Sequence, residues 1–109
     1  MGATAAQHDV YQAIADPTRR RLLKLLANQE MPIAAMTACF PISRTAVNKH
    51  LKVLSDAGLV SSQKVGRETR YTLQPEPLDE IKQWLTFFDS YWDEKLLALQ
   101  QFVESNHEE

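Results

Sequence analysis

Thr45, Asn48, Lys49 and Lys52 follow the spacing i, i+3, i+4, i+7, so on an α-helix they share one face, with Arg44 beside them in the first turn. Arg and Lys can donate to guanine acceptors, the Asn amide can both donate to and accept from an adenine edge, and Thr offers a hydroxyl and a methyl. Such a row can read bases, while its spare cations meet phosphates. The same row on an isolated helix would serve equally as a solvated polar face, so its meaning depends on what holds it. Lys64, Arg67 and Arg70 add cations further along, with Arg67 next to Gly66. An Arg at a loop tip can enter a narrow minor groove, where negative potential concentrates, or simply touch phosphate. Arg19, Arg20 and Arg21 open another candidate helix, whose positive end also suits phosphate. Three successive residues cannot share one face, so at least one of them is expected to pair with an acid inside a dimer.

No comparable grouping suits catalysis. There is no Gly-rich phosphate loop, no Cys and His pair with a third orienting group, and no pair of carboxylates in an apolar setting. The chain reads as a non-enzyme. His8 and His107 lie near the two ends without Cys or His neighbours at ligand spacing, and His50 falls on the apolar side of its helix, as a hydrogen-bonded structural histidine does. No metal and no cofactor is therefore expected. Cys39 is the only cysteine, which excludes an internal disulfide and suits a reducing, cytoplasmic setting. Beside Phe40 it reads as a small buried hydrophobe rather than a thiol sensor.

The elements that must hold these residues are legible in the spacing. Residues 4–15, with Val10, Tyr11 and Ile14 on one side, suit a first helix. Asp16 is a good N-cap and Pro17 fits the first helical position of a second helix, whose stripe of Leu22, Leu23, Leu25 and Leu26 runs to about Asn28. Pro32 begins a third, shorter helix with Ile33, Met36 and Phe40 facing inward until Pro41 stops it. After a tight turn over residues 40–42, Ser43 caps a fourth helix over 44–57, which Gly58 ends. On it Val47, His50, Leu51 and Leu54 form the inward stripe, opposite the polar row. Two helices joined by a short turn make a helix-turn-helix.

From Leu59 to Leu73 two β-prone runs flank Gly66, Arg67 and Glu68, which predicts a hairpin. Residues 74–77, with two prolines, form a connector. A final helix is predicted over 78–104, with Ile81, Trp84, Leu85, Phe88, Tyr91, Trp92, Leu96, Leu99 and Phe102 at helical spacing, and a frayed tail follows Ser105. The sequence thus predicts a mainly α fold with a small β-hairpin, in the order α-α-α-α-β-β-α with five helices. One domain over 1–109 is expected: a body at 16–74 with its hairpin at 59–73, and a C-terminal helix at 78–104.

The formal net charge of −2 conceals a strong asymmetry. Between Asp16 and Gln74 ten Lys and Arg face four Asp and Glu, whereas from Pro75 onward two cations face nine anions. A basic body on an acidic C-terminal element points to an anionic partner for the body. No run of eighteen or more apolar residues exists, and Met1 to Gln7 lack the basic and apolar segments of a signal peptide, so neither membrane insertion nor secretion is expected.

Taken together, these residues resemble the ArsR-like (arsenic-repressor) winged helix-turn-helix regulators from about Asp9 to Val103. Ala15-Asp16-Pro17-Thr18-Arg19 followed by Leu22-Leu23-Lys24-Leu25-Leu26 is similar to the opening of that family's second helix. Residues 43–54 are similar to its recognition helix, and Ala57-Gly58-Leu59-Val60, Gly66-Arg67 and Tyr71-Thr72-Leu73 to its helix stop and wing. The resemblance implies that Arg44, Thr45, Asn48 and Lys49 contact bases and Arg67 forms the wing tip. It further implies a homodimer built by the first and last helices, which suits the aromatic density of Trp84, Phe87, Phe88, Tyr91 and Trp92. Metal-sensing members carry a Cys-x-Cys near the third helix or Asp and His ligands on the last; neither pattern occurs here. The implied function is a repressor that binds an inverted repeat in double-stranded DNA as a homodimer, with its effector unspecified. The competing expectation is a winged-helix protein-interaction module that docks another protein through the aromatic helix and never touches DNA.

Overall fold

The computed structural model describes residues 9–107. Residues 4–8 of the first predicted helix and His8 lie outside the described residues. The elements run α1 (Val10–Ala13), α2 (Pro17–Leu26), β1 (Met31–Pro32), α3 (Ile33–Thr37), α4 (Arg44–Asp56), β2 (Val60–Val65), β3 (Glu68–Leu73), α5 (Leu78–Thr86) and α6 (Asp89–His107). They form two compact units, one up to Asp79 and one from Glu80. Among them, no helix is long and apolar enough to cross a membrane.

The first unit is built as its caps dictate. Asp9 caps α1 reciprocally with Gln12, Asp16 accepts from the Arg19 N–H ahead of Pro17, and Ser43 accepts from the Ala46 N–H to start α4. Gly58, at φ +79°, takes the left-handed step that ends α4, and the Leu59 N–H reaches back to the Leu54 carbonyl at 2.9 Å. Leu22, Leu23 and Leu26 of α2, Ile33 and Met36 of α3, and Val47, Leu51 and Leu54 of α4 are buried together with Val10, Ala13, Met31, Leu59 and Val60. Removing each such Leu, Ile or Val side chain from water contributes about 1.5–3 kcal/mol, which fixes the angle at which α4 leaves the core.

Several expectations are corrected. Among the described residues the helices number six rather than five, and the hairpin belongs to a three-stranded antiparallel sheet in the order β1-β3-β2. Met31 pairs with Tyr71 and Pro32 with Arg70, so Pro32 ends a short edge strand and caps α3 rather than beginning it. An edge is where a residue lacking an N–H can sit in a sheet. The first helix stops at Ala13, before the predicted Ala15.

The single C-terminal helix is divided in two at Phe87 and Phe88. There the Phe87 N–H is shared between the Gln83 and Trp84 carbonyls, and the Phe88 N–H bonds that of Leu85 at 2.9 Å, a tightened final turn. Asp89 then opens α6, where an acid suits the positive helix end. Edge-to-face contacts of Phe88 with Trp84 and Phe87, at 5.2 and 5.0 Å, hold the break.

Candidate nucleic-acid interface

Thr45, Asn48, Lys49 and Lys52 are all exposed on α4, with Arg44 exposed at its first position, while Val47, Leu51 and Leu54 on the other side are fully buried. The face predicted from spacing is therefore a real outward face. The hairpin rises beyond it. In β2 and β3, Val65 pairs with Glu68 across a two-residue tip, and Gly66, at φ +66°, supplies the first central residue as a type II′ turn requires. Arg67 occupies the second tip position and is exposed.

The wing cations part company at the level of the pleat. Lys64 pairs with Thr69, and Arg70 pairs with Gln63 on the opposite face of the hairpin. An open cleft is lined by Arg44, Lys64, Arg67, Glu68 and Thr69 together with Pro32, Ile33 and Ala34 at the start of α3. The first cation of α4 and two cations of the wing thus converge on one groove. Arg70 stands apart from that set, half-buried, with Glu30 at 3.6 Å and Glu68 at 3.2 Å. Two carboxylates share its charge. Glu68, two residues away on the same strand face, was discernible from alternation; Glu30, forty residues earlier in the chain, was not.

Behind the interface, α4 is braced against the start of α2. Arg19 Nη1 lies 3.4 Å from His50 Nδ1, and Asp16 Oδ2 lies 3.9 Å from the same atom. Arg19 also donates through Nε to the Ala13 carbonyl at 2.7 Å and through Nη2 to that of Gln12 at 3.0 Å. Arg20 Nη1 donates to the Ile14 carbonyl at 2.7 Å, and the Arg21 guanidinium lies 5.5 Å from the Phe40 ring centroid. Arg19 and Arg20 therefore bring side-chain donors to the carbonyls at the end of α1. Burial works against the Asp16 carboxylate, but the Arg19 and Thr18 N–H groups and the nearby His50 and Arg19 charges outweigh it and hold its pKa below the ordinary 3.8. Cys39 is exposed, contrary to expectation, because it lies in the turn after α3, where Ile33 and Met36 take the inward positions. Its thiol donates to the Ala35 carbonyl at 3.4 Å.

Residues 14–63 match a model described as a helix-turn-helix domain. The chain is 35% identical over 95 residues to the HTH-type transcriptional regulator Rv2034 of Mycobacterium tuberculosis, spanning 87% of this chain and 86% of that one. It belongs to the ArsR-like family of winged helix-turn-helix transcriptional regulators. The transcriptional repressor SdpR of Bacillus subtilis is 32% identical across 82% of the chain and 99% of its own length. The ArsR-like transcriptional regulator from Rhodococcus sp. RHA1 superposes with a TM-score of 0.70 at 36% identity, over 95% of this chain and 94% of that one.

Membership makes this ArsR-like chain a DNA-binding transcriptional regulator. Among its described residues, no three His, Cys, Asp or Glu side chains come together as a bound metal ion would require. The second unit of this regulator carries the aromatic residues singled out by spacing. Trp84, Phe87, Tyr91 and Trp92 are exposed, Phe87 by 79%, and Phe88 is half-buried in the break between α5 and α6. Leu96, Leu97, Leu99, Phe102 and Val103 continue the exposed apolar surface along α6.

Proposed function

We propose that this protein is a repressor that binds an inverted repeat in double-stranded DNA as a homodimer. Asn48, Lys49, Thr45 and Arg44 read base edges in the major groove, Lys52 meets phosphate, and Lys64 and Arg67 hold the backbone or the adjacent minor groove. Arg70, already shared between Glu30 and Glu68, acts mainly by bracing the wing. The observation that carries the reading is the convergence of Arg44, Lys64 and Arg67 on one cleft beside the exposed polar face of α4. A groove edged by cations with amide and hydroxyl groups beside it fits a phosphate-lined duplex and its base edges.

The dimer is supported by the second unit, whose large apolar side chains stand mostly exposed. An exposed surface of that extent favours association with a second copy. The decisive experiment selects a duplex from random sequence with the purified protein, then titrates it and a scrambled duplex across a salt series. Tight, salt-sensitive binding with a clear preference for a two-fold symmetric selected duplex supports the reading. Failure to enrich any sequence, with no salt-dependent retention on DNA, would instead favour a protein-interaction module.

A further inference from the structure

Leu22, Leu23 and Leu26 turn one side of α2 into the core, and the other side of that helix is a row of cations. Pro17, Arg20, Arg21 and Lys24 stand at i, i+3, i+4 and i+7, are all exposed, and line an open groove. The contacts that hold two of them leave their charge intact. Arg20 bonds the neutral Ile14 carbonyl and Arg21 covers the neutral Phe40 ring, so each guanidinium keeps its charge and further N–H donors. Phe40 belongs to the turn that leads to Ser43, the cap of α4. The row is thereby anchored at the turn that delivers the recognition helix.

We infer that this face of α2 is a second grip on the DNA backbone: Arg20, Arg21 and Lys24 bind phosphates of the same duplex, flanking the segment read by α4. The inference rests on the DNA-binding reading above. A duplex fits this groove better than an acidic protein does. The groove's lining is three cations and one proline with no acid or aromatic anchor among them, and phosphates require only cations set along their path. The grip adds affinity without sequence preference.

The test compares the full chain with the double variant R21Q/K24Q, leaving Arg20 to hold the Ile14 carbonyl. Binding to selected and scrambled duplexes is followed by anisotropy across a salt series. The salt slope of the double variant should fall by about two units per protomer, with equal loss on both duplexes. Its thermal midpoint should fall by no more than about a few degrees, because Gln sustains an exposed helix position about as well as Lys or Arg does and only the exposed contact of Arg21 with Phe40 is lost. The single variant K24Q, should the double variant fold poorly, is expected to lose about one unit. K82Q, which removes an exposed cation from the acidic unit, should leave the slope unchanged.

A parent-like slope in R21Q/K24Q, while the parent itself binds DNA, overturns the inference alone. An equal fall in K82Q also overturns it, since net charge would then account for the effect. So does a shift in the sedimentation of R21Q/K24Q with an unchanged slope, which would assign the face to the acidic element of a second copy. Absence of DNA binding by the parent would instead remove the underlying reading.

Discussion

Asn48 and Arg67 lie on different supports and are expected to fail differently. Asn48 projects from a helix whose opposite side is locked in the core, so on the proposed reading its amide would meet a base edge in a fixed geometry. Asn48→Ala should cost about 1 to 3 kcal/mol on the selected duplex and little on a scrambled one, lowering the specificity ratio. Arg67, at a two-residue tip, acts through charge; Arg67→Ala should weaken both duplexes and reduce the salt slope by about one unit per protomer. Titration of each variant at several salt concentrations separates the two, and equal weakening of both duplexes by Asn48→Ala would misplace the reading face. Asp16 carries a pH prediction. Its folded pKa is depressed, so its stabilisation is present above the unfolded value and is lost as pH falls through the folded one, below 3.8. In denaturant titrations, Asp16→Ala should cost about 1 kcal/mol near neutral pH, and the gap from the parent should close in acid.

Elements set where those residues stand, and the stop after α4 is the sharpest example. At Gly58 a Cβ would meet only Pro77 Cγ at an ordinary 3.6 Å, so the objection to a side chain lies in the backbone at φ +79°. Gly58→Ala should therefore destabilise the first unit by about 1 kcal/mol, from left-handed strain rather than a clash. Urea denaturation measures this, and an unchanged midpoint would show that the chain leaves α4 by another route. The capping signals Asp16-Pro17, Ser43 and Gly58 were readable because each acts within a few residues of itself. The third strand was not. Met31 and Pro32 have strand geometry only because β3, some forty residues later, offers them an edge.

For the whole molecule, the prediction concerns assembly. The exposed Trp84, Phe87, Tyr91 and Trp92 are the surface expected to close a dimer. Trp92→Glu should place a charge in that contact and shift sedimentation at low micromolar concentration toward the monomer. DNA affinity should fall with it, because two half-sites are then no longer held by one particle. Parent protein that sediments as a folded monomer would refute the dimer outright. The charge asymmetry belongs to this scale as well, since the cations of the body gather around α2, α4 and the wing while the anions gather in the C-terminal segment.

The sequence by itself determined α2 and α4 with their caps at Asp16, Ser43 and Gly58, the hairpin and the two faces of α4, because periodicity and capping are properties of neighbouring residues. Tertiary structure alone decided which cations are spent and which remain available. Arg19 was absorbed by the carbonyls at the end of α1, and Arg70 by Glu30 and Glu68, while Arg44, Lys64 and Arg67 came together on one cleft. It also exposed Cys39 and broke the last helix at Phe87 and Phe88. A charged side chain several bonds long reaches partners distant in sequence, so its role is fixed only when the backbone has brought those partners within hydrogen-bonding distance.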